Sequence, residues 1–153
     1  MQNRSRFTLS FSLIALQAGL FISLSSYLPA NPIDDEVLKY TNQFRQSNGL
    51  PPLLMQFELN KIALRHSQDM ANGSRGFGHG GFDKREKEIE HLFKCHAVAE
   101  NVAFGQNNGI EVVSAWRNSS GHRHNMLGNY RWIGVGTARD RDGRIYFTEI
   151  FVR

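Results

Sequence analysis

The hydrophobic period changes along the chain, and that change restricts the folds open to it. From residue 31 onward the apolar side chains first recur with a helical period. Asn31-Pro32 opens this part, Asp34 is a candidate N-cap, and Val37, Tyr40, Thr41 and Phe44 share one helix face that ends at Gly49. Leu50-Pro51-Pro52-Leu53 must be extended, because proline keeps the residue before it out of the α region. A second helix over residues 57–72 carries Leu59, Ile62, Ala63, His66 and Met70 on one stripe, with Gly73 in the C′ place. Residues 74–81 form a glycine-rich loop bearing Phe77 and His79, and a third amphipathic stretch over 83–94 turns Ile89, Leu92 and Phe93 inward. Residues 98–104 read as a short strand, and 110–118 as a helix with Val112, Val113 and Trp116 inward. Two strands close the chain, 132–138 and 144–152, joined by Asp140-Arg141-Asp142-Gly143 with the Asp-Gly signal of a tight hairpin. Trp116 and Trp132 are expected in the core. Helices first and a hairpin last predict an α+β fold or a three-layer α-β-α sandwich, not a regular βαβ alternation.

The 153 residues suffice for one domain. The first 25 read as an export signal. Arg4 and Arg6 make a positive start, Phe7 to Leu24 is uncharged and mostly apolar, and Ser23-Leu24-Ser25 suits cleavage after Ser25, with Ala30 as a second candidate. The competing reading is an uncleaved signal anchor, although Thr8, Ser10, Ser12, Gln17 and Ser23 dilute its hydrophobicity. The expected organisation is a signal peptide over 1–25 and one domain over 31–153, secreted or periplasmic, touching a membrane only if the leader is retained. Arg4 and Arg6 are two of 18 basic side chains, and the other 16 are interspersed with 14 acids. That pattern lacks the clustered basic face of a nucleic-acid binder. The lone Cys95 forms no internal disulfide. It reads as a half-buried small residue on a helix, with a reactive thiol or an intermolecular bridge as alternatives.

Four segments hold polar residues that a plain core does not need: His66-Ser67-Gln68-Asp69-Met70, Phe77-Gly78-His79-Gly80-Gly81, Ala99-Glu100-Asn101-Val102-Ala103, and residues 119–127. Glu100 is the most informative. A carboxylate in so apolar a strand is either on a solvated edge or held by donors in a pocket. His122 follows Ser119-Ser120-Gly121, where a new helical turn can start and its amides favour a neutral imidazole. No strong metal spacing is present: His-Glu-x-x-His is absent, His122-Arg123-His124 is a short flexible pair, and His91 and His96 read as surface residues. The glycines at 73, 76, 78, 80 and 81 do not follow a strand and open a helix, so they are no dinucleotide fingerprint. Ser67 and His66 are adjacent on one helix and do not face each other, which removes a serine-hydrolase reading.

In this order the segments resemble the bacterial branch of the CAP superfamily (cysteine-rich secretory proteins, antigen 5, pathogenesis-related class 1 proteins). The resemblance rests on Asn42-x-x-Arg45-x-x-x-Gly49-Leu50-x-Pro52-Leu53, Ala63-x-x-His66-Ser67-x-Asp69-Met70-Ala71, Phe77-x-His79 and Glu100-Asn101-Val102-Ala103. It continues through Trp116-x-x-Ser119-x-Gly121-His122-Arg123-x-Asn125-Met126-Leu127, Ile133-Gly134-Val135-Gly136 and Tyr146-Phe147-Thr148-Glu149-Ile150-Phe151. It implies an α-β-α sandwich around a mostly antiparallel sheet, and a cleft that in some members holds a divalent metal on two histidines and two acids. His79 and Glu100 match the first histidine and first acid. The second acid falls at Ser119, the second histidine at Tyr146, and Glu149 stands where glutamine is usual. His122 is the bacterial replacement histidine.

The expected cleft therefore comprises His79, Glu100, His122, Glu149, His66, Asn101 and Asn125, with His79 and His122 as candidate ligands for a divalent metal such as zinc. The leading expectation is a secreted, monomeric binding module for a small amphiphile, lipid or cell-envelope component. A metal-assisted hydrolase, with Glu100 as third ligand or general base, is the second reading. A non-catalytic interaction domain, with these residues as a polar core, is the third. The balance is against an enzyme.

Overall fold

The computed structural model describes residues 31–153, so the leader expected over 1–25 lies outside the described residues. Five helices and four strands follow in the order α1 (Pro32–Ser47), β1 (Leu54–Met55), α2 (Phe57–Ala71), α3 (Phe82–Phe93), β2 (Val98–Phe104), α4 (Gly109–Asn118), α5 (Ser120–Met126), β3 (Trp132–Arg139) and β4 (Ile145–Val152). The sheet order is β1-β3-β4-β2. β4 pairs antiparallel with both β3 and β2, and the two-residue β1 adds a parallel edge to β3. The sheet is therefore mixed, with antiparallel pairs dominant.

Alternation along the strands sorts the core into two layers. Ile133, Val135, Phe147 and Phe151 point to one face, where they meet Val37 and Phe44 of α1, Val112, Val113 and Trp116 of α4, and Met126 of α5. Ile150 and Val152 point to the other, against Leu59, Ile62 and Ala63 of α2 and Ile89 of α3. The sheet is thus sandwiched between α1, α4 and α5 on one side and α2 and α3 on the other, the three-layer arrangement that the order of elements predicts. Gly134 and Gly136 point to the α2 face, and a Cβ at either would collide with α2 backbone, at Leu59 and at Ala63–Leu64 respectively. These two glycines let α2 lie directly on β3.

Three local expectations are corrected. The N-cap of α1 is Asn31, whose side chain accepts from the Ile33 amide at 3.1 Å. Asp34 sits one turn inside the helix and accepts from Thr137 Oγ1 at 2.8 Å; Pro32 lacks an N–H and so suits the first helical position. Leu92 is half-exposed, and Arg85 joins Ile89 as a buried residue of α3. The buried stripe of α3 thus runs through positions 85, 89 and 93 and leaves 92 outside it. Cys95 lies past the end of α3 instead of on it, packed against the α2-face core, and burial raises its thiol pKa.

Replacing Gly136 by alanine should force α2 away from β3. The expected cost is about 1–3 kcal/mol, read as a lower urea midpoint with an unchanged slope. A Gly143→Ala control sits in the hairpin turn with open space around it; there only the left-handed φ of 84° opposes the substitution. An unchanged midpoint for Gly136→Ala would show that α2 does not rest on that glycine.

Candidate functional site

Among the described residues β2 is an edge strand, paired on one side only with β4. Its outer edge is covered by side chains from α4 and α5: Trp116 Nε1 donates to the Val102 carbonyl at 3.3 Å and Asn125 Nδ2 to the Glu100 carbonyl at 3.2 Å. Edge strands need such cover, because their free carbonyls and amides otherwise invite pairing. Adjacent residues of β2 face opposite layers, so Glu100 and Asn101 carry the polar groups of two separate networks.

Glu100 points to the α2–α3 side. Its side chain is almost wholly buried and is held by donors. Arg85 Nε donates to Oε2 at 2.8 Å and Arg85 Nη2 to Oε1 at 2.7 Å, a bidentate pair. His79 Nδ1 lies 3.0 Å from Oε1, and His66 Nε2 3.8 Å from the same oxygen. His66 and Arg85 also hold the glycine loop. His66 Nε2 donates to the Gly78 carbonyl at 2.9 Å, and Arg85 Nη1 to the Gly80 carbonyl at 2.9 Å. Burial lowers the His66 pKa, against the pull of Glu100, so a neutral ring protonated on Nε2 is favoured. His66 Nδ1 is buried with no hydrogen-bond partner among the described residues. The side chain of His79 is 52% exposed. A donated Nδ1–H leaves its Nε2 as an acceptor, with no protein partner among the described residues.

Asn101 points to the α1–α4–α5 side. Its amide donates to Glu149 Oε2 at 3.2 Å and to the His122 carbonyl at 3.3 Å, and its oxygen accepts from Asn125 Nδ2 at 2.9 Å. Glu149, opposite Asn101 in the β2–β4 register, is fully buried and also accepts from Thr41 Oγ1 at 2.7 Å. Burial pushes its pKa up to about 7, against the opposing effects of Thr41, Asn101 and Arg45. The His122 ring lies against Trp116, with ring centroids 6.4 Å apart. Its pKa is lowered by burial first and by the charge of His79 second.

The seven expected residues thus divide. His79 and Glu100 form one hydrogen-bonded group with Arg85, and His66 lies 3.8 Å from Glu100 with its own bond to the Gly78 carbonyl. Asn101, Asn125, Glu149 and the His122 backbone form the other. The His122 ring packs against Trp116 and makes no hydrogen bond to Glu100. Among the described residues no three His, Cys, Asp or Glu side chains gather to hold a metal ion. The donor set explains why: the Arg85 guanidinium engages both Glu100 oxygens, and a cation placed there would meet its charge. His91 and His96 are exposed. Sequence reasoning gave no role in the polar networks to Arg85, Thr41 or Arg45, although Thr41 stood on the helix face and Arg45 in the family motif. Arg85 had a signal, since it lies four residues before Ile89 on the inward stripe; Thr41 and Arg45 likewise continue the stripe from Val37.

A family model described as "Cysteine-rich secretory protein family" matches residues 38–151. YkwD of Bacillus subtilis is 40% identical over 110 residues, 67% of this chain and 41% of that protein. An extracellular protein of Bacillus anthracis containing an SCP domain superposes with a TM-score of 0.66 at 27% identity, over 78% of this chain and 39% of that one. An outer surface protein of Borrelia burgdorferi shares the fold with a TM-score of 0.68 at 20% identity, over 78% of this chain and 90% of that one. The chain spans about two fifths of the length of the two Bacillus relatives.

Glu149 yields a pH prediction. Its folded pKa of about 7 lies above the usual 4.5. Between those values the folded chain holds a proton that the unfolded chain has lost, so this group's contribution to stability falls as pH rises through the window. The loss is on the order of 3 kcal/mol. Asp34, raised to about 7 mainly by burial, acts in the same direction. His66 and His122, both lowered, act oppositely below their usual 6.5. Glu149→Gln should therefore be more stable than wild type at pH 8 and lose that advantage by pH 5, measured as urea midpoints at both. A variant equally destabilised at both pH values would contradict a protonated Glu149.

Proposed function

From its membership of the cysteine-rich secretory protein (CAP) family, to which this chain belongs, we propose that the protein is an exported binding module whose His79 side receives a component of the cell envelope. The observation that carries the reading is the state of Glu100. Both of its oxygens are engaged by Arg85, and one also by His79, so it serves as an anchor and not as a free general base. What it anchors is a half-exposed imidazole with Nε2 turned to accept. His79 has no hydroxyl or thiol among its hydrogen-bonding partners in the described residues, so the nucleophile that a triad requires is missing beside it.

Export is supported by the charged and apolar leader pattern, by the description of the Bacillus anthracis relative as extracellular and of the Borrelia relative as an outer surface protein. No helix among the described residues is long and apolar enough to cross a membrane. A divalent metal on His79 and His122 is the weaker reading, because two imidazoles without a free carboxylate fall short of the three protein ligands of a catalytic zinc site.

The test is co-sedimentation of the purified protein with insoluble envelope material of the producing cell, comparing wild type with His79→Ala and watching for soluble fragments. Wild type should be retained, the variant retained several-fold less, and no fragments released. Release of fragments that His79→Ala abolishes would establish a hydrolase instead, and equal retention would remove His79 from the site. Zn²⁺ titration of both proteins should give the same isotherm; a saturable wild-type site lost in His79→Ala would restore the metal reading.

A further inference from the structure

Three aromatic rings stand in a row beside the His79 group, at the hairpin end of the sheet. Phe104 lies on the same face of β2 as Glu100, four residues further along. Its ring centroid is 4.7 Å from that of Phe77, on the glycine loop, and 5.5 Å from that of Tyr146, its register partner on β4. Phe77 and Phe104 leave 52% and 42% of their surface open. Scattered exposed apolar side chains need no explanation, but rings from three separate segments brought into contact and left open do. None is needed by the core: Phe77 is on a loop, and both sheet-face cores are complete without them.

The row continues into a cavity. Tyr146, at its inner end, also lines a depression of about 670 Å³ between the end of α2 and the β3–β4 hairpin, within the range of cavities that hold small ligands. Its other walls mix apolar Met70 and Ala138 with polar Gln68 and Asn72 and with three arginines and two aspartates at the hairpin. Arg144 is neutralised in place, with Nε 2.9 Å from Asp140 and Nη2 2.8 Å from Asp142. Arg139 donates to the Gly143 carbonyl and has no carboxylate partner among the described residues. Arg141 makes no hydrogen bond or ion pair among the described residues. Three arginines against two aspartates leave this wall one net positive charge, with Arg141 as its unpaired guanidinium, and the cavity favours a carboxylate.

Aromatic carbon on one side with amides and guanidiniums on the other is the surface a pyranose chain requires. The C–H face of the sugar carries partial positive charge and lies on the negative face of a ring, while hydroxyls, acetamido groups and carboxylates seek planar donors and acceptors. An alkyl chain would leave the polar walls unpaired, and a free metabolite would not need an open row. We propose that Phe77, Phe104 and Tyr146, together with the hairpin cavity at Arg141, bind the peptide-free glycan strand of a bacterial cell wall, whose N-acetylated pyranoses carry a free carboxylate on alternate sugars once the peptide is removed. This names the envelope component and so rests on the binding reading above.

The test is isothermal titration of the purified protein with soluble, peptide-free glycan strands released from purified cell wall, and with the same strands after reduction of their carboxylates. The wild type should bind the intact strands saturably. Phe77→Ala and Phe104→Ala should each weaken binding about tenfold, and Arg141→Ala should weaken it for intact but not for reduced strands. Phe77 is a loop residue, so its variant keeps the test valid if Phe104→Ala melts early. Absence of saturable binding by the wild type, or unchanged affinity in Phe77→Ala, would overturn the proposal; equal affinity for intact and reduced strands would overturn the carboxylate assignment at Arg141. Failure here with His79-dependent retention on whole envelope material would leave the binding reading standing, whereas failure of both would remove both.

Discussion

Burying a carboxylate on the edge of a sheet costs several kcal/mol unless its oxygens are taken up by donors, and Glu100 meets that condition with two side chains of different kinds. Arg85, from the helix packed above the strand, contributes a planar fork that fits both oxygens. His79, from the loop before that helix, adds a third donor. Because Arg85 also holds the Gly80 carbonyl and His66 the Gly78 carbonyl, the loop is fixed at its glycines and not by an apolar core. The position of His79, and of Phe77 two residues earlier, follows from that anchorage.

The same strand supports a second polar network on its opposite face. There Asn101 bridges Glu149, the His122 carbonyl and Asn125, which ties α5 to the sheet. Helices α4 and α5 thus approach the free edge of β2 from one side while the glycine loop approaches from the other. A short strand with a buried Glu-Asn pair thereby gathers polar groups from distant parts of the chain, and the half-exposed aromatic row stands further along β2 toward the hairpin.

Much of this was legible in the sequence because it depends on local periodicity. The inward face of α2, the apolar character of β2 and the Asp-Gly hairpin each follow from spacing alone, and Glu100 stood out because a carboxylate contradicts the strand around it. What escaped were residues whose role is set by a partner far along the chain. Arg85 sits within an alternating charge run and looks solvated until Glu100, 15 residues later, is seen beneath it. Asp34 suits an N-cap by composition, yet Asn31 takes that place and Thr137 claims Asp34 from 103 residues away. The parallel edge strand β1 is only two residues long, too short to show a period. The division of the site between two faces was also hidden, since the family motifs give the order of residues but not the side of the sheet on which each lies.

The central claim is that the Glu100–Arg85 pair holds the loop that carries His79. A double-mutant cycle of Glu100→Gln and Arg85→Met, read by urea unfolding and by amide exchange over residues 76–82, tests it directly. Each single variant should lose about 3 kcal/mol by leaving a buried group unpaired, the double variant should lose no more than either one, and loop protection should fall in all three. Additive losses with unchanged protection at residues 76–82 would contradict the claim.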